Sequence, residues 1–130
     1  MTYLLDTHVW LWMQAAPERL SDRVRKLIAD AGVDLLFSAA SSWEIAIKHS
    51  QGRLELPEPP VTYVPSRMRA SGVQGLPIKH IHALQMAGLE PHHRDPFDRM
   101  LVAQAQVEGL TIITADPVFS RYAVPVLIAA

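Results

Sequence analysis

Residues His92 to Asp116 constrain this chain more than any other stretch. Asp95 stands where a helix N-cap belongs, Pro96 takes the first helical position, and Asp98 falls in the first turn. Phe97, Met100, Leu101 and Ala105 repeat at helical spacing, and Gly109 stands where the helix should stop. Leu110 to Thr114 is a short apolar, β-branched run that ends at Asp116. The pattern predicts loop, helix and strand, with an acid at the helix start and another at the strand end. Both are places where a parallel α/β fold puts chemistry.

The remaining chain extends that scheme. Tyr3-Leu4-Leu5 reads as a buried strand closed by Asp6, with Thr7 as the N-cap of a helix carrying Val9, Trp10, Leu11 and Trp12. Asp6 reads either as a capping carboxylate or as a site acid. Ser21 caps a second helix through Val24, Leu27, Ile28 and Ala31, ended by Gly32. Leu35 to Phe37 is a second strand, and Ser38 to Ser42 lead into a helix. There Trp43, Ala46 and Ile47 are expected to form the apolar stripe, with Glu44 in the first turn. Taken alone, Glu44 reads better as a surface partner of Lys48 four residues on than as a site acid.

Gly52 and Pro57 to Pro60 form a loop, Tyr63 to Ala70 a helix, and Val73 to Ile78 a short edge strand. His80 to Ala87 is expected to be a helix with Ile81, Leu84 and Met86 facing inward. Pro125 places the last strand, Val124 to Ile128, at an edge. Strands separated by helices predict an α/β fold: a mainly parallel sheet with helices on both faces, in one domain over residues 1–130.

Bulk properties narrow the class. A 130-residue chain that is 49% apolar and 19% charged can bury a core and is too apolar for disorder. The net charge of −1 means that any polyanion site must be a local patch. With no cysteine there is no disulfide and no thiolate metal site, which fits a reducing cytoplasm. The N-terminus meets Asp6 without a basic segment, unlike a signal peptide, and no apolar run is long enough for a bilayer.

Asp6, Glu44, Asp98 and Asp116 share one property: each lies at a strand C-terminus or early in the helix that follows. In a parallel sheet those positions lie along one edge, so acids distant in sequence can converge. Crowded carboxylates repel unless something positive sits between them, and a hard divalent cation prefers oxygen ligands. A metal held there can activate water and bind a phosphate oxygen. A rival site would use His80, His82, His92 and His93. Residues at i, i+2 do not share a helix face, so these are expected to cap, line a path or meet water.

Leu4-Leu5-Asp6-Thr7-His8, Ser42-Trp43-Glu44-Ile45, His93-Arg94-Asp95-Pro96-Phe97-Asp98-Arg99-Met100-Leu101 and Ile113-Thr114-Ala115-Asp116 together resemble a PIN-domain protein. More narrowly, they resemble the VapC-like ribonuclease toxins of bacterial toxin–antitoxin pairs. The resemblance implies a three-layer α/β/α sandwich, an acidic Mg²⁺ or Mn²⁺ site and endoribonuclease activity. It implies Asp6 and Asp98 as metal ligands, Asp116 completing the site, and Glu44 as a ligand or water-orienting group. Thr7 and Thr114 would hydrogen-bond the carboxylates, while Asp95 caps the helix. Arg94, Arg99 and Lys48 are candidate RNA contacts, with Arg53, Arg67, Arg69 and Lys79 behind them. A VapB-like antitoxin and a homodimer are implied as well, with Trp10 and Trp12 as candidate contact area. Two other readings remain open: a catalytically silent binding module, and a phosphotransferase with Asp6 as nucleophile, which lacks the usual second acid two residues on because His8 is there.

Overall fold

The computed structural model describes every residue from Met1 to Ala130. Its strands are β1 (Thr2–Leu5), β2 (Asp34–Ser38), β3 (Gln74–Leu76), β4 (Thr111–Thr114) and β5 (Val126–Ile128). All neighbours pair in parallel, in the order β3-β2-β1-β4-β5. The helices are α1 (Thr7–Ala15), α2 (Asp22–Ile28), α3 (Ala39–Ser50), α4 (Pro60–Ser71), α5 (His80–Met86) and α6 (Pro96–Glu108). Short 3₁₀ turns cover Pro17–Arg19 and Pro117–Arg121.

The period-2 alternation of a strand explains the layers. Tyr3 and Leu5 of β1 join Trp10, Val24, Phe37, Ile45 and Tyr63 in one buried cluster. Leu4, between them, joins Leu101, Val102, Ile112 and Phe119 in another. A strand buried on both faces requires helices on both sides, here α1 to α4 against α6. The result is the expected α/β/α sandwich around a parallel sheet.

The chain lays β1, β2 and β3 outward in one direction. It then returns with α6 to set β4 on the other side of β1. Strand order therefore reverses between β1 and β4, where a parallel sheet opens a crevice at its C-terminal edge. Pairing of Leu5 with Ile113 puts Asp6 next to Thr114, and the Asp6 N–H donates to the Ile113 carbonyl at 2.9 Å.

Several local expectations are corrected. The N-cap of α1 is Asp6 rather than Thr7, because the Asp6 carboxylate accepts the Thr7 N–H. Helix α2 ends at Ile28, short of Gly32. Ser38 caps α3 by accepting the Ala40 N–H, so the helix starts at Ala39 and Glu44 lies in its second turn. That rotates the buried face to Ala40, Ser41, Glu44 and Ile45 and leaves Trp43 59% exposed. On α5 the inward residue is His82, fully buried, whereas Ile81 and Leu84 are exposed. His82 Nδ1 accepts the Lys79 N–H at 3.0 Å, a capping contact that outweighs a two-turn hydrophobic pattern. Trp10 is core, stacked on Phe37 with ring centroids 4.5 Å apart, and is not contact area for a partner. Trp12 is half-buried beneath the Arg19 guanidinium.

Candidate metal centre

Asp6 leaves the end of β1 and is 2% exposed. Its Oδ1 accepts the Thr7 N–H at 2.7 Å, and its Oδ2 accepts the Thr114 hydroxyl at 2.6 Å. Thr114 Oγ1 in turn accepts the Asp116 N–H at 3.0 Å, so one hydroxyl links the ends of β1 and β4. Thr7 reaches Asp6 only through its backbone. Its hydroxyl donates to Ser41 Oγ at 2.8 Å and ties α1 to α3.

His8 completes this junction. Its Nε2 accepts the Ala115 N–H at 3.1 Å, which leaves the ring proton on Nδ1, 3.3 Å from Asp6 Oδ2. Asp116 caps the turn after β4 by accepting the Val118 N–H at 3.0 Å, and its side chain stays 37% exposed.

Asp98 enters from the first turn of α6. Asp95 caps that helix, its Oδ1 accepting the Phe97 and Asp98 N–H groups at 2.8 and 3.4 Å, and Gly109 ends it at φ 69°. Glu44 enters from α3, 5% exposed. Lys48 Nζ donates to Glu44 Oε2 at 2.6 Å, so the expected i,i+4 pair exists, but around a buried carboxylate. The other oxygen, Oε1, is buried without a partner.

Asp6, Glu44, Asp95 and Asp98 line a cavity of about 300 Å³, with Lys48 and Arg53 also on its wall. The crowding shows in the protonation equilibria. Burial pushes the Asp98 carboxyl up to about 8, and the charges of Asp6, Asp95, Glu44 and Asp116 push in the same direction. Burial also raises Asp6, against the opposing pull of His8, Thr114 and the Thr7 N–H. Two of the acids are thus reluctant to ionise without a compensating cation.

A hard divalent cation fits this set. The donors facing the cavity are carboxylate oxygens, and the orphaned Glu44 Oε1 lacks the partner that such an ion supplies.

The histidines do not cluster. His82 is buried on the inner face of α5, and His92 packs edge-on against Tyr122, its centroid 5.1 Å away. His93 alone joins the acids, with Nε2 2.8 Å from Asp98 Oδ2 and 3.4 Å from Asp116 Oδ2. Sequence reasoning weighed His93 only within a rival histidine cluster and missed both its place among the acids and that of His8. The available signal was position: each lies two residues from an acid at a helix start.

Arg99 closes the loop before α6 instead of standing free for a phosphate. It donates to the carbonyls of Met86 at 3.3 Å, Glu90 at 3.1 Å and His93 at 3.5 Å. Arg94 is exposed, and Arg67 is bonded to Gln14.

Acids from four chain segments thus gather at the switch point of a parallel α/β sheet, which defines a class: α/β proteins with an acidic cluster able to bind a divalent cation. The chain belongs to the PIN domain family, whose model matches residues 3–125. It is 33% identical over 116 residues to Ribonuclease VapC22 of Mycobacterium tuberculosis, covering 88% of this chain and 87% of that protein. It is 44% identical over 61 residues to Ribonuclease VapC16 of the same organism, a match covering 47% of this chain and 43% of that relative. The fold is shared with VapBC2 from Rickettsia felis bound to a promoter DNA fragment (TM-score 0.74, 12% identity, all of both chains). It is shared also with DNA-bound VapBC from Salmonella typhimurium (TM-score 0.71, 15% identity, 98% of both).

Proposed function

We propose that this chain is a metal-dependent endoribonuclease and the toxin of a toxin–antitoxin pair. The observation that carries the reading is the convergence of Asp6, Glu44 and Asp98 on one cavity, with Asp116 beside Asp98 across the His93 ring nitrogen. The ribonuclease names of the VapC relatives and the VapBC complexes among the structural neighbours support it. The partner is a VapB-like antitoxin, and the toxin works as a single PIN domain, a homodimer in the cytoplasm. No helix is long and apolar enough to cross a membrane.

Asp6 and Asp98 would hold Mg²⁺ or Mn²⁺, with Asp116 and Glu44 completing the set. When bound, the cation supplies a nucleophilic water at neutral pH and a charge for the phosphate oxygens. The chain's own residues supply order. Thr114 and the Thr7 N–H fix both oxygens of Asp6, and His8 holds the Asp116 loop beside it. Lys48 and Arg53, on the cavity wall, give the RNA backbone positive charge next to an otherwise acidic crevice. Arg94 is an exposed contact farther along. With both oxygens bonded and 2% exposure, Asp6 suits a ligand better than a phosphate-accepting nucleophile.

The test is cleavage of a mixed pool of tRNA and rRNA fragments with Mg²⁺ or Mn²⁺. Cleavage is expected to vanish with EDTA and in folded Asp98→Asn protein. A folded Asp98→Asn chain that cuts at the wild-type rate overturns the assignment. Divalent-cation binding without cleavage of any RNA, by chain freed of antitoxin, would favour the silent module.

A further inference from the structure

His93 is not among the four acids, yet its backbone N–H, its carbonyl and its ring Nδ1 are all bonded, which leaves only Nε2 facing them. Its N–H donates to Tyr122 Oη at 2.8 Å and its carbonyl accepts from Arg99 Nη1 at 3.5 Å. Its ring packs against Phe119, centroids 6.1 Å apart, and its side chain is 20% exposed. The ring nitrogen Nδ1 accepts the Asp95 N–H at 3.1 Å. A nitrogen that accepts carries no proton, so a neutral imidazole has its proton on Nε2. That buried N–H points between Asp98 Oδ2 at 2.8 Å and Asp116 Oδ2 at 3.4 Å, in line with neither. The three ligand-type atoms lie within 4.8 Å of one another.

We propose that His93 is a positioning residue, not a metal ligand: its Nε2–H spans Asp98 and Asp116 and holds them in one cation-ready arrangement. An N–H has no lone pair to offer an ion. The two acids come from different elements, α6 and the turn after β4, and repel each other. A donor shared between them offsets that repulsion before any cation arrives. Because His93 withholds its nitrogen, the ion meets only oxygens, which selects Mg²⁺ and Mn²⁺ over imidazole-seeking Zn²⁺. The inference rests on the acids being a cation site, and not on which nucleic acid is cut.

Nitrogen-15 NMR of the His93 ring, on unaltered protein with and without Mg²⁺, reads the tautomer directly. The expected result is a protonated Nε2 and an unprotonated Nδ1 in both states. A proton on Nδ1, or an Nε2 that loses its proton as Mg²⁺ binds, overturns the proposal. Calorimetric titration with Mn²⁺ reads the clamp. Folded His93→Ala is expected to bind about 10–100-fold more weakly. His93→Gln, whose amide N–H reaches the Nε2 position, should stay within about threefold of wild type. Wild-type affinity in the Ala variant, or equal loss in both variants, overturns it. Should the Ala variant fail to fold, the tautomer measurement and the Gln variant still decide. Failure to cleave RNA would strike the proposed function alone, since neither readout uses RNA.

Discussion

Asp98 holds a carboxyl whose ordinary value of 3.8 is raised to about 8 by burial and by four neighbouring acids. In the unfolded chain the same group ionises near its ordinary value. Between those two values the folded chain binds the extra proton, so stability is lost as pH rises through that window and levels off above it. Asp6, raised by burial, adds in the same direction. Metal-free protein should therefore melt at progressively lower temperature from pH 5 to pH 8. Asp98→Asn should flatten the curve, and Mn²⁺ should restore the wild type at pH 8 but not the variant. Thermal melts in EDTA and in Mn²⁺ check this. The same substitution should lower RNA cleavage by at least ~10²-fold. Thr114, whose hydroxyl joins Asp6 to the Asp116 backbone, gives a second test. Thr114→Val should cost about 2 kcal/mol in urea unfolding, and Thr114→Ser much less, because a buried bond to a charged group is lost only in the first.

Helix α6 shows how one element serves both stability and chemistry. Asp95 satisfies two of its free N–H groups and also raises Asp98. The two roles separate by substitution. Asp95→Ala should destabilise by about 1 kcal/mol, while Asp95→Asn keeps the cap within a few tenths. Only the loss of charge, common to both, should lower the Asp98 carboxyl, as carbon-13 NMR of that group would show. This element was legible in the sequence because cap, proline, periodicity and terminal glycine all agree over Asp95 to Gly109. Asp6, Asp98 and Asp116 could be placed for the same reason: strand ends and helix starts are local signals. Helices α3 and α5 were less legible. Ser38, Ser41 and Ser42 could each cap, and choosing Ser38 moves Glu44 by a turn and Trp43 to the surface. Seven residues of α5 give too few turns for periodicity to decide, so the His82 cap decided instead. The roles of His8 and His93 depend on contacts to residues 107 and 23 positions away, beyond any local pattern.

At the scale of the molecule, β1 is the hinge of the architecture: it is central, and its two faces feed two cores. Leu4→Ala, at a fully buried position, should cost 2–5 kcal/mol by urea unfolding, far more than an edge change such as Ile128→Thr. Strand β4 pairs with β1 although 105 residues, carrying six helices and two strands, lie between Leu5 and Thr111; this long-range closure is what puts Asp116 beside Asp6. The consequence concerns time as much as space. A ribosome making this chain delivers Asp6 first, then Glu44 and Asp98, and Asp116 last of the four. Until β4 and β5 emerge and dock, the growing polypeptide holds these acids apart instead of at one sheet edge. A cell translating such a toxin thus has the interval of one chain's synthesis before the first cut, an interval in which an antitoxin made alongside it can already be waiting.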